Sequence, residues 1–155
     1  MKIGAVGLGN RIAHVYHELS QINKDAELIA YVDPLPIGKE YAEKNNFFPR
    51  KDYSSLNEML SNEKLDLLMI GSPNHLHLEH IKIGLNSGIK IFAEKPIVVN
   101  ENQSFELAKL LGEFGEDQVL VGLVLRYSQH ARSVRDLINK NVLGKIVSIE
   151  ASEHI

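Results

Sequence analysis

The stretch Met1 to Asn10, MKIGAVGLGN, limits what this chain can fold into more than any other. Ile3, Ala5 and Val6 make a short apolar strand that runs into Gly7-Leu8-Gly9. A helix-compatible segment, RIAHVYHELSQI, follows at once, with Ile12, Val15, Leu19 and Ile22 at helical spacing. Strand, glycine turn and helix together form a phosphate cradle. The first glycine permits the tight turn, the second lets a pyrophosphate approach the backbone, and the helix N-terminus offers free N–H groups. A third glycine, which would allow close helix–strand packing, is expected at position 12, where the chain has Ile12. By itself the pattern is weak, because glycine turns also join strands to helices in α/β proteins that bind no dinucleotide.

The chain after this turn keeps alternating. AELIAYVD, Ala26 to Asp33, is a mostly apolar run without strict alternation, as suits a parallel strand covered on both faces. GKEYAEKNN reads as a short polar helix, FFP as a short strand or turn, and SSLNEMLSN as a helix capped by Ser54 or Ser55. Leu65 to Ile70 is the next strand, ending in Gly71-Ser72-Pro73-Asn74. HLHLEHIKIGLNSG is helical, with Leu78, Ile81 and Leu85 on one stripe. Ile89 to Ala93 is a strand running into Glu94-Lys95-Pro96, followed by a helix over Glu101 to Phe114 and a strand over Gln118 to Leu125. This order predicts an α/β fold with a doubly wound, mostly parallel Rossmann sheet over residues 1–121. From 122 the pattern changes. Arg126 to Lys140 carries Val134, Leu137 and Ile138 at helical spacing, and Ile146 and Ile149 alternate with Lys145 and Glu150 as in a strand with one wet face. Residues 122–155 therefore read as the truncated start of a second α/β domain, and their apolar helix and strand edge are expected to be open to self-association or disorder.

Composition excludes some classes. With 155 residues the chain is long enough for one domain with a real core and short for two. Its 17 basic residues are scattered against 20 acidic ones, with no basic stripe bearing aromatics, so nothing favours nucleic acid as a partner. The absence of cysteine removes disulfides, thiolate chemistry and Cys-ligated zinc, and fits a reducing compartment. No charged leader precedes the first strand and no stretch approaches ~18 apolar residues. The expected location is cytoplasmic, away from membranes.

In an open parallel sheet, ligands bind beyond the carboxyl ends of the strands. Those ends carry Gly7 to Asn10, Asp33, Gly71 to Asn74, Glu94 to Pro96, and Arg126-Tyr127. Asp33 stands where an acid can hydrogen-bond the adenosine ribose, although beside Pro34 it also suits a plain turn. Lys95 suits either an exposed turn or a site where it orients a hydroxyl and assists proton transfer. Among the histidines, His77 and His80 are spaced to reach one ion, but Glu79 points to another face and no HExxH is present, so no metal site is expected. His75 or His77 is instead expected at the helix start near the nicotinamide end, with His80 on the surface and His14 and His17 as ordinary helix residues. No GxSxG occurs, and Ser72 before Pro73 is no nucleophile elbow.

Five linked segments, AVGLGNRIAHVYH, YVDP, LLMIGSPNHLHLEH, GIKIFAEKP and VGLVLRY, resemble the glucose-fructose oxidoreductase / inositol 2-dehydrogenase / rhizopine catabolism (Gfo/Idh/MocA) family over essentially the whole chain. The resemblance implies a nicotinamide-dependent oxidoreductase of two domains. Its substrate would be a small sugar, cyclitol or polyol, and its C-terminal sheet commonly makes a homo-oligomer interface. It implies cofactor contacts at Gly7, Gly9, Asn10, Arg11, Ile12, Asp33, Ser72, Pro73, Asn74, His77, Glu94, Lys95 and Arg126, with Lys95 also catalytic. The family's catalytic histidine lies past position 155, and His154 falls too early to be that residue. The chain is thus expected to be the nucleotide-binding portion of a longer enzyme and silent alone. Asp33 favours NAD over NADP, since a carboxylate repels a 2′-phosphate. The alternatives are a non-catalytic dinucleotide-binding or regulatory protein of the same fold, and a metal- or CoA-binding α/β domain.

Overall fold

The computed structural model describes residues 1–49 and 51–152. Six parallel strands form one sheet in the order β3-β2-β1-β4-β5-β6: β1 (Lys2–Val6), β2 (Glu27–Val32), β3 (Lys51–Asp52), β4 (Leu67–Ile70), β5 (Lys90–Ala93) and β6 (Val119–Val121). Between them run α1 (Asn10–Ile22), α2 (Lys39–Lys44), α3 (Leu56–Asn62), α4 (His77–Asn86) and α5 (Glu101–Phe114). The order reverses between β1 and β4, so the loops after these two strands diverge and leave a crevice at their carboxyl ends.

Side-chain alternation along the strands divides the core in two. Ile3, Ala5, Leu28, Tyr31 and Met69 face α1, whose Ile12 and Tyr16 are buried against them. Val6, Leu68, Ile70, Ile91 and Ala93 face α3, α4 and α5, meeting Met59, Ile81 and Leu107. Parallel strands covered on both faces need apolar residues at successive positions, which is why these runs lack a clean period of two. Caps set the helix starts. Ser55, not Ser54, is the α3 N-cap, accepting from the Glu58 N–H at 3.2 Å, and Asn100 caps α5 by accepting from the Gln103 N–H at 2.9 Å. On α1, His14 stacks on Tyr41 with centroids 3.8 Å apart, so a histidine read as an ordinary helix residue ties α1 to α2.

Several element boundaries differ from the sequence reading, and three of the differences have a clear cause. The edge strand is Lys51–Asp52 and not FFP, since β3 pairs with Ala30 and Tyr31 only after the aromatic pair Phe47 and Phe48 has packed against Tyr16 and Tyr31. The last strand ends at Val121: after the Gly122 N–H donates to the Ala93 carbonyl at 2.8 Å, the backbone turns into a 3-10 helix, Val124–Tyr127. The helix after Asn74 opens with a 3-10 turn, Asn74–Leu76, before α4 begins at His77.

The chain separates into two compact units, Met1–Gly122 and Leu123–Ile155. In the second, α6 (Gln129–Asn139) is capped by Ser128, and its Val134, Leu137 and Ile138 are exposed. The alternating strand expected around Ile146 and Ile149 is absent among the described residues, because a strand needs a neighbour's hydrogen bonds and no described residue of that unit offers them. His154 lies outside the described residues.

Candidate functional site

At the reversal of strand order, the turn Gly7-Leu8-Gly9 leads from β1 into α1. Gly7 has φ +80°, and a Cβ there would collide with the backbone of Gly71 and Ser72. This leaves glycine as the only residue that fits. Gly9 differs: a Cβ on it would meet nothing within 4 Å, so its backbone faces open space at the N-terminus of α1. The first-turn N–H groups of a helix lack intrahelical partners, and Gly9 as N-cap supplies no side-chain oxygen to fill them. The Gly38 N–H donates to the Leu8 carbonyl at 2.9 Å, which folds the loop after β2 back onto the turn. Nothing in the sequence marks Gly38, and only its spatial neighbour gives it a part.

Ile12 resolves the missing third glycine. It is 1 % exposed, and its Cγ1 lies only 2.3 Å from where a Cβ on Gly71 would be. The side chain is accommodated because the end of β4, not α1, carries the glycine at this contact.

Two cavities flank the glycine turn and share Gly9, Gly71 and Ser72. One, about 570 Å³, is bounded by Asp33, Leu35 and Ile37 after β2 and by Pro73, Leu76 and His80 opposite. Asp33 Oδ1 accepts from the Leu35 N–H at 2.8 Å, closing a turn, while the residue also lines the cavity. The other cavity, about 260 Å³, is bounded by Arg11, Ile12, Asn74, His77, Glu94 and Lys95. Thus Gly9, Arg11, Ile12, Ser72, Asn74, His77, Glu94 and Lys95 line one cavity, while Gly7, Gly9, Asp33, Ser72 and Pro73 line the other. Asn10 opens α1, and its carbonyl accepts from His14 Nδ1 at 2.7 Å. Arg126 belongs to the second unit, where its carbonyl accepts from Arg135 at 2.8 Å.

Glu94 is the notable group in the smaller cavity. It is 7 % exposed, and among the described residues its Oε1 has no hydrogen-bond partner, with Arg11 Nε no closer than 3.8 Å. A buried carboxylate oxygen without a donor is costly, and ligand sites are where such cost is tolerated. Lys95 beside it is exposed and joined to Pro96 by a cis peptide bond.

His77 is 1 % exposed and fully committed to the protein. Its Nε2 lies 2.8 Å from the Ser72 carbonyl and its Nδ1 2.8 Å from the Pro96 carbonyl. Both partners are carbonyl oxygens, so the ring bonds each only through an N–H on the nitrogen concerned. His77 therefore ties the loop after β4 to the turn after β5, which positions Lys95 without offering a polar atom to a ligand. His80 was expected on the surface. It is instead half-buried, with Nδ1 2.9 Å from Ser72 Oγ. The cavity role could not be read from sequence, because it depends on the loop after β4 folding under α4.

A doubly wound parallel sheet with a glycine turn and a two-lobed groove at its switch point defines a dinucleotide-binding Rossmann protein. The family described as "Oxidoreductase family, NAD-binding Rossmann fold", Gfo/Idh/MocA, matches residues 1–123, and the chain belongs to it. Among curated relatives, the 2,7-anhydro-N-acetylneuraminate hydratase of Mediterraneibacter gnavus is 29 % identical over 133 residues, covering 84 % of this chain and 34 % of the relative. The glucose-6-phosphate 3-dehydrogenase of Bacillus subtilis is 29 % identical over 153 residues, covering 96 % and 41 %. In fold, the chain is similar to scyllo-inositol dehydrogenase from Lactobacillus casei, solved with NAD(H) and scyllo-inositol, at TM-score 0.78 and 24 % identity over 94 % of this chain and 42 % of that one. The chain therefore spans well under half the length of these relatives.

Proposed function

We propose that this chain is the nucleotide-binding portion of an oxidoreductase that moves hydride between a nicotinamide and a hydroxyl-bearing carbon of a sugar, cyclitol or polyol, with NAD preferred over NADP. The observation that carries the reading is Glu94: a buried carboxylate oxygen lacking a donor, in a cavity that also holds Lys95 and adjoins the glycine turn. A dinucleotide supplies ribose hydroxyls or carboxamide N–H groups to that oxygen, and a polar ligand there removes the cost of leaving it bare.

In this reading Gly7 keeps the turn tight and Gly9 leaves room for a pyrophosphate on the free N–H groups that open α1 at Asn10 and Arg11. Asp33 holds the adenosine ribose hydroxyls with the carboxylate oxygen not used by its own turn. Ser72, Pro73 and Asn74 line the path between the lobes. The nicotinamide supplies the hydride chemistry. Lys95 directs its ammonium at the substrate oxygen, polarising the hydroxyl and stabilising negative charge as it develops. His77 keeps that lysine in register through the Pro96 carbonyl. Residues 122–155 are the start of a second domain that shapes the substrate pocket and a homo-oligomer interface.

Calorimetric titration of this chain with each nucleotide tests the cofactor half. Micromolar NAD binding with NADP at least about ten-fold weaker is expected. NADP binding as tightly overturns the preference, and no binding of either overturns the assignment. For the enzyme half, the full-length form is assayed for NAD reduction against a panel of inositols, hexoses and polyols. Retained NAD affinity with no substrate-dependent reduction would support a regulatory protein instead. Lys95→Ala should abolish turnover and leave NAD affinity within about two-fold.

A further inference from the structure

The cavity beside Asp33 has a second titratable wall. Among the described residues lining it, Asp33 from the end of β2 and His80 from α4 are the only groups that change charge with pH. His80 is held in place. Its Nδ1 is 2.9 Å from Ser72 Oγ, and the Ser72 carbonyl lies 2.8 Å from His77 Nε2, so the serine is fixed at both ends. The Ser72 hydroxyl from the loop after β4 meets the ring, His77 and Glu79 on its own helix are the charged groups that act on it, and Asp33 lines the same cavity from the end of β2. Burial, and then the neighbouring His77 ring, lower its proton affinity below the ordinary histidine range, while Glu79 acts the other way. Burial thus favours the uncharged ring, and an anion brought beside it favours the cation.

We infer that His80 is a specificity-determining residue of the dinucleotide cavity: uncharged, it leaves Asp33 to reject a 2′-phosphate, and protonated, it offsets that rejection and admits the phosphorylated nucleotide. The inference rests on the adenosine occupying this cavity, as proposed above. Its basis is Coulombic. No lysine or arginine lines the cavity among the described residues, so a 2′-phosphate set beside the Asp33 carboxylate finds no cation until His80 takes up a proton. By linkage, the phosphorylated nucleotide raises the proton affinity of His80 in return, so its binding is accompanied by proton uptake. The 2′-phosphate also gains a proton of its own near pH ~6, and the variants below separate that contribution.

The test measures Kd for NAD and NADP on the chain at about pH 8 and about pH 5.5, for wild type, His80→Gln and His80→Lys. Glutamine keeps a polar partner for Ser72, and far-UV circular dichroism confirms that each variant is folded. On acidification the wild-type ratio Kd(NADP)/Kd(NAD) should fall about five-fold further than that of His80→Gln, and His80→Lys should show the low ratio already at about pH 8. NADP binding to wild type at the lower pH should also take up more protons than binding to His80→Gln. Intact NAD binding with a ratio indifferent to residue 80 overturns this inference alone. Failure of wild type to bind either nucleotide at both pH values overturns the dinucleotide reading and this inference with it.

Discussion

Ile12 is buried against α-carbon space that Gly71 leaves empty, and neither residue tolerates the other's growth. Gly71→Ala would drive a methyl into Ile12 Cγ1 and, less severely, against the Gly7 carbonyl oxygen. Overpacking of this kind should cost about 1–3 kcal/mol in urea denaturation. Ile12→Ala should itself cost about 2–5 kcal/mol by leaving a cavity. The double variant should be more stable than the sum of the two losses implies, because the smaller residue makes room for the methyl. Strict additivity would show that the two residues do not compete for one space.

His77→Phe keeps the ring and removes both hydrogen bonds. The Ser72 carbonyl then loses its donor in a buried setting, at a cost of about 1–3 kcal/mol. Because the same ring holds the Pro96 carbonyl, the turn carrying Lys95 should loosen. Amide hydrogen exchange should speed up at Lys95, Ile97 and Val98 while the strands of the sheet stay protected. Unchanged exchange there would mean that His77 does not hold that turn.

Glu94→Ala removes the buried carboxylate that lacks a protein donor. Without ligand, stability should stay the same or rise, since a buried oxygen with no hydrogen-bond donor is lost and Arg11 reaches it only at 3.8 Å. NAD affinity should fall by about ten-fold or more, the equivalent of one charge-assisted hydrogen bond. A loss of stability with unaltered NAD affinity would assign Glu94 a purely structural part.

Tyr53 donates its hydroxyl proton to Glu63 Oε1, which Lys51 Nζ also reaches at 2.6 Å. That hydrogen bond to the carboxylate, more than burial, pushes the Tyr53 phenol up to about 12. A raised folded value means that its contribution to stability is complete below the unfolded value of about 10 and is lost as pH climbs through the folded one. Glu63 is lowered, first by Lys51 and then by Tyr53, so its contribution holds above about pH 4.3 and is lost as pH falls through its folded value. The difference in tyrosinate absorbance between wild type and Tyr53→Phe should titrate near the raised value. A midpoint near that of free tyrosine would remove the pairing.

Asp33→Ser should raise NADP affinity and leave NAD affinity slightly weaker, since serine still hydrogen-bonds a hydroxyl and no longer repels a phosphate. Parallel titrations of both nucleotides measure this. If NADP affinity does not rise, the carboxylate is not the discriminating group.

The sequence by itself determined the alternation of buried strands with helices, the glycine turn, and the polar residues that stand at successive strand ends. These are local properties: apolar runs, helical periodicity, caps and turn residues need only their own neighbours along the chain. Tertiary structure decided what those neighbours could not. It set Ile12 against Gly71, drew Gly38 onto the Leu8 carbonyl, and folded the loop after β4 so that His77 and His80 both meet Ser72. It also left the alternating run around Ile146 without strand structure, since a strand exists only with a partner to bond. The turn in MKIGAVGLGN is written in the first ten residues. The space it opens is made by residues more than sixty positions away, because the packing that decides it is between segments distant in sequence.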